Sequence, residues 1–144
     1  MNVVYVIGRI CVPVVFIAAG VQKATDISGI ARMLADNKVP VPEQIVPYLG
    51  GIPKYEALGY LVAGIEIVCG LLVLAGLMAR WSALVLAVFT ACTIIFVHHF
   101  WDMEGVAAQI NQTAALKNLS IIGALLLIVA CGSSAAAAER RPET

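Results

Sequence analysis

Residues 57–77 read ALGYLVAGIEIVCGLLVLAGL, with one charge, Glu66, in the whole stretch. At 1.5 Å of rise per residue, a helix of this length covers about 30 Å, the thickness of a bilayer's hydrocarbon core. Working outward, three further stretches have the same character. One runs from Val3 to Val21 and is broken only by Arg9. Another runs from about Trp81 to Phe100, with His98 and His99 at its far end, and the last from about Ala114 to Ser134, with Lys117 and Asn118 at its entrance. The composition of the 144-residue chain agrees: 61% is hydrophobic and 12% charged, against about 45–50% and about 25% in soluble domains. The mean hydropathy is +0.94. A soluble domain of this size leaves too much of its surface in water to hide so many apolar side chains. The reading is an all-α, integral membrane four-helix bundle, monomeric, up-down-up-down, with residues 1–144 forming a single membrane domain.

The net charge is zero, with nine basic and nine acidic residues. That argues against a nucleic-acid partner, which needs a basic face. An even number of spans puts both termini on one side of the membrane, side A. Side B then carries the loops 22–56 and 101–113. Within the first loop, Asp26 to Asn37 has a helical rhythm, with Ile27, Ile30, Met33 and Leu34 on one face. This predicts a short interfacial helix. Pro40, Pro42, Pro47 and Pro53 enforce an irregular path after it. Met78-Ala79-Arg80 is so tight a connection that spans two and three are antiparallel neighbours, with span two also beside span one. Ala135–Ala138 can prolong the last helix, and residues 139–144 read as a flexible polar tail. Ala18-Ala19-Gly20 has small residues, but no Lys or Arg precedes the apolar stretch, so a cleaved signal peptide is not expected.

The polar residues inside the spans are the informative ones, because a charge at mid-bilayer costs about 2.5–3.5 kcal/mol on insertion scales. Arg9 lies about 9 Å and Glu66 about 16 Å from side A by helical rise. An arginine side chain covers most of that difference, so the two are expected to form a buried ion pair. Their surroundings have one-face spacing: Arg9, Pro13, Phe16, Gly20 and Lys23 in span one, Gly59, Ala63, Glu66 and Gly70 in span two, and Ala83, Ala87, Ala91, Ile94 and His98 in span three. Small residues on such faces let membrane helices approach closely.

A second polar group gathers at the side-B mouth: Gln22, Lys23, His98, His99, Trp101, Gln112, Lys117 and Asn118. Lys23 and Lys117 end and begin helices at one depth. The expectation is that their two cations converge on a headgroup or anion, with lipid-phosphate anchoring at the rim as the plainer alternative. Trp101 also suits an ordinary interfacial anchor. No catalytic motif and no metal-ligand spacing appears, and His98-His99 are adjacent, which on a helix splays them by about 100°. The four cysteines, Cys11, Cys69, Cys92 and Cys131, fall one per span without a CxxC pair. They read as packing residues, with a Cys11–Cys69 contact allowed by depth.

Gly8-Arg9, Phe16 and Gly20-Val21-Gln22-Lys23 resemble the first helix of the DoxX family. So do Ala63-Gly64-Ile65-Glu66 through Leu72 with Gly76-Leu77 and Arg80, and then His99-Phe100-Trp101, Gln112, Leu116-Lys117-Asn118-Leu119 and Gly123. The resemblance covers about Gly8 to Gly132. It implies a four-helix protein of the bacterial or archaeal inner membrane, and it marks Arg9, Lys23, Glu66, Lys117 and Asn118. Some members are membrane subunits of oxidoreductases that pass electrons to quinone, and others are linked to membrane complexes of thiol or oxidative stress. The resemblance therefore implies a membrane subunit or partner of a quinone-linked or thiol/sulfur-stress oxidoreductase, with no intrinsic cofactor and quinone or lipid as ligand. The alternatives are a binding or transport protein for a small amphipathic molecule and a purely structural subunit. Basic residues number five on side B and three on side A, which alone favours side B in the cytoplasm. The resemblance favours cytoplasmic termini instead, and that is the expectation adopted.

Overall fold

The structure is a computed structural model describing residues 3–138, with side chains through Cys131. Its helices are α1 (Val3–Thr25), α2 (Ile27–Asp36), α3 (Lys54–Ala75), α4 (Ala79–Phe96) and α5 (Gly105–Ala138), with short 3-10 turns at Glu43–Tyr48 and Phe100–Asp102. No strand occurs among the described residues. Four segments are long and apolar enough to cross a membrane: Val3–Thr25, Lys54–Ala75, Ala79–Asp102 and Gly105–Cys131. The tail at 139–144 lies outside the described residues.

The helices pair antiparallel in chain order, α1 with α3, α3 with α4, and α4 with α5. Two glycines set the α1–α3 approach. A Cβ on Gly20 would stand 2.7 Å from Ile67 Cγ1 and 3.0 Å from the Ala63 carbonyl oxygen, and one on Gly70 would stand 2.8 Å from Ile17 Cγ1. The backbones are therefore closer than any side chain there would allow. The buried residues of α1 are Pro13, Phe16 and Gly20, and those of α3 are Gly59, Ala63, Glu66, Gly70 and Val73, which follow the stripes expected from spacing. α4 departs: its buried residues are Ser82, Ala83, Leu86, Ala87 and Thr90, a face rotated toward 82, 86 and 90. Phe16, Val73, Ala83, Leu86, Leu125 and Ile128 form an apolar core in the side-A half. Large apolar side chains such as Val14, Val68, Val88 and Leu127 are exposed. An apolar exterior over an interior of small and polar residues is the arrangement lipid favours.

α2 forms where expected. The Asp26 carboxylate accepts from the Gly29 N–H at 2.9 Å and caps its N-terminus. Ala31 and Leu34 are buried, and Ile27 and Ile30 pack over Gly59 of α3. Two boundaries differ from expectation. α4 ends at Phe96, so His98 and His99 lie past the helix, with the His98 N–H bonded to the Thr93 carbonyl. The segment 105–113, expected as loop, is the first part of α5. After Gly105, which turns the chain at φ +60, residues 106–113 contain no glycine or proline to stop a helix.

Candidate functional site

The expected Arg9–Glu66 pair does not form. Glu66, 4% exposed, is held by Lys23, whose Nζ donates to Oε1 at 2.8 Å and to Oε2 at 2.7 Å. The reason is side-chain direction. Cα–Cβ bonds tilt toward a helix's own N-terminus, and α1 and α3 run antiparallel. Lys23 therefore leans toward side A and Glu66 toward side B, so the two converge, whereas Arg9 and Glu66 lean apart. Register adds to this. Gly20 lies against Glu66, and Arg9 is eleven residues further down α1, about 16 Å by helical rise.

Arg9 instead serves the end of α3. Its Nη1 donates to the Val73 carbonyl at 3.3 Å, a last-turn carbonyl that also accepts the Gly76 N–H at 3.1 Å and lies at the helix end whose partial negative charge attracts a cation. Gly76 caps α3 in the left-handed region at φ +77. A Cβ there would collide with the Arg9 guanidinium, so glycine serves both the turn and the arginine. The buried Arg9 Nε has no hydrogen-bond partner among the described residues.

Toward side B, the Lys23–Glu66 pair faces a half-open hollow of about 170 Å³ between α1, α3, α4 and α5. Its polar lining is Lys23, Glu66, Thr90, Thr93, His98 and Asn118, and its apolar lining includes Phe16, Ala19, Phe89 and Ile121. Thr90 and Thr93 donate their hydroxyl hydrogens back to the Leu86 and Phe89 carbonyls, at 2.7 and 3.0 Å, which leaves oxygen lone pairs for the hollow. His98 Nδ1 lies 3.0 Å from Asn111 Oδ1, and Asn111 Nδ2 donates to the Ala107 carbonyl at 3.0 Å. Of the eight residues expected at the mouth, the hollow thus gathers Lys23, His98 and Asn118. Gln22, Gln112 and Lys117 are exposed and do not line it. The convergence of Lys23 with Lys117 on an anion is corrected accordingly: Lys117 faces outward and Lys23 is occupied by a carboxylate. Trp101 is 55% exposed and meets the rings of His99 and Phe100 edge-on.

Three contributors were missed from sequence. Thr90 follows Ser82 and Leu86 at four-residue steps, and Asn111 falls seven residues before Asn118 on the α5 face that continues to Leu125; both signals were present. Thr93 had no comparable signal, because its position depends on how α4 is rotated. The cysteines are free thiols, with Cys11, Cys92 and Cys131 exposed, and no disulfide joins Cys11 to Cys69. Among the described residues no three His, Cys, Asp or Glu converge as a metal site. A larger groove of about 540 Å³ lies between α2 and the start of α3. It is open, and its cations are engaged: Arg32 Nε with the Ser28 carbonyl and Lys54 with Glu43 at 2.7 Å.

These features define a small polytopic membrane bundle with an ion pair and a polar hollow in its interior. The chain belongs to the DoxX family, whose model matches residues 4–99. It is similar to inner membrane protein YphA of Escherichia coli (strain K12), 30% identical over 140 residues, which cover 96% of this chain and 90% of that one. Inner membrane protein YqjF of the same organism is 30% identical over 134 residues, 93% of this chain and 88% of its own. No solved structure matches. The chain is a multi-pass integral inner-membrane protein.

Proposed function

We propose that the hollow beside the Lys23–Glu66 pair receives the headgroup of a small, uncharged amphipathic molecule, and that the protein is a membrane binding component for it. The supporting observation is that five polar side chains from four different helices, with His98 just past the end of α4, line one hollow inside the bundle, where packing alone calls for apolar contact. Polar groups at membrane depth are costly and generally serve function. The volume suits a headgroup and not a whole ligand, since sites for drug-sized molecules run to about 300–1,000 Å³. The ligand's apolar part leaves between helices into lipid. Lys23 and Glu66 cancel in charge, so a neutral headgroup is preferred to an anion.

A second reading uses the same hollow. As a membrane subunit of a quinone-linked or thiol/sulfur-stress oxidoreductase, the chain would present the remaining Lys23 N–H and the Asn118 amide to a quinone carbonyl, with the redox centre on a partner protein. A purely structural subunit leaves the hollow without a role.

Native mass spectrometry of gently solubilised protein tests the proposal, comparing wild type with Ala19→Phe, which fills the hollow. The expected result is a low-mass adduct on the wild type that the variant lacks. Spectra of both forms without any adduct contradict the proposal, and a quinone adduct together with a co-purifying redox subunit favours the second reading.

A further inference from the structure

The hydrogen-bond inventory of the hollow narrows the class of molecule it can take. This inference rests on the hollow being the ligand site. Lys23 has three N–H donors, and two are engaged by Glu66, so one remains. The Thr90 and Thr93 hydroxyl hydrogens are engaged by carbonyls of their own helix, so these side chains offer only acceptor lone pairs. His98 is fixed by its neighbour. Because Asn111 Nδ2 donates to the Ala107 carbonyl, the Asn111 oxygen is the atom turned to His98 Nδ1. An oxygen there accepts, so Nδ1 carries the ring proton. In the neutral imidazole Nε2 is then an acceptor, and no group among the described residues is hydrogen-bonded to it. Asn118 adds two amide N–H donors and one carbonyl oxygen, so the acceptor oxygens of Thr90, Thr93 and Asn118 together with His98 Nε2 still outnumber the three free N–H donors, one on Lys23 and two on Asn118.

We infer that His98 determines the specificity of this hollow, its Nε2 accepting a hydrogen bond from a headgroup hydroxyl that in turn accepts from Lys23 Nζ. The ligand class is a small alcohol or phenol with an apolar tail. An ether of the same shape can accept from Lys23 but has nothing to donate to His98 and leaves Nε2 unpaired. Asn111 acts as a positioning residue, since it holds the tautomer without lining the hollow.

The test uses full-length protein in lipid nanodiscs, with empty nanodiscs as the partition reference. Two probes, 4-propylphenol and 4-propylanisole, are titrated calorimetrically, and 15N-histidine spectra report the tautomer, with His99→Gln separating the two histidines. Wild type is expected to bind the phenol about tenfold more tightly than the anisole, the equivalent of about one hydrogen bond. The His98 signal should be that of the Nδ1-protonated ring. His98→Phe should lose the preference while keeping anisole affinity, and Asn111→Leu should weaken the preference and shift the tautomer signal. Equal affinities on wild type, a preference that survives His98→Phe, or an Nε2-protonated His98 overturns this inference and leaves the ligand-site reading standing. Failure of both probes to bind overturns this inference and the ligand-site reading together.

Discussion

Lys23 is the residue that makes Glu66 tolerable. A carboxylate 4% exposed in a bundle interior cannot stay charged without a partner, and a lysine donating to both of its oxygens supplies one at the cost of desolvating the ammonium as well. Such pairs add little net stability over apolar replacements, yet breaking one is costly. Lys23→Gln and Glu66→Gln are therefore each expected to destabilise the protein by about 3 kcal/mol, and the double change should recover much of that. Arg9→Gln combined with Glu66→Gln should show no such recovery. Thermal unfolding in detergent of the four forms of each cycle measures this; additive losses for Lys23 and Glu66, or coupling between Arg9 and Glu66, would contradict the geometry. Arg9 acts at the other end of the same helix pair, on the Val73 carbonyl, where Gly76 leaves it room.

At the scale of elements, α1 and α3 are held at glycine distance, and this contact sets the register that brings Lys23 to Glu66. Gly20→Ala should cost about 1–3 kcal/mol, the usual range for overpacking, because the new Cβ meets the Ala63 carbonyl oxygen of the neighbouring backbone at 3.0 Å as well as Ile67. The same change at Gly64, where a Cβ meets nothing within 4 Å, should cost little or stabilise the helix. Equal melting temperatures for the two variants would refute the close approach. The glycine and alanine stripes of α1 and α3 were legible in sequence because helical period and small size are local properties. The pairing of Arg9 with Glu66 was a misreading of a different kind. Counting depth from the edges of the apolar runs treats Val3 and Leu77 as level, but the end of α3 at Val73 and Gly76 lies beside Arg9, so α1 begins further out on side A, and side-chain tilt in an antiparallel pair decides which charges meet. His98 and His99 were placed on a helix that ends at Phe96, since hydropathy continues past the point where the backbone turns. The start of α5 was missed for the converse reason: residues 105–113 are less apolar than a span but fully able to be helical.

For the whole molecule, composition alone was sufficient to place the chain in a bilayer, and the structure gives that composition a direction, with large apolar side chains outward and small or polar ones inward. The side-A half holds the apolar core, and the side-B half holds the polar hollow. This division is the central feature of the account, because a bundle needed only for anchoring has no reason to keep Lys23, Glu66, Thr90, Thr93, His98 and Asn118 around one space. A cryo-electron microscopy map of the protein extracted together with its native lipid tests it most directly. The account predicts non-protein density in the hollow, in contact with Lys23 Nζ and His98 and continuing as an apolar tail between helices. A hollow closed by side chains, with Lys23 turned out to the lipid headgroups and Glu66 paired elsewhere, would contradict it.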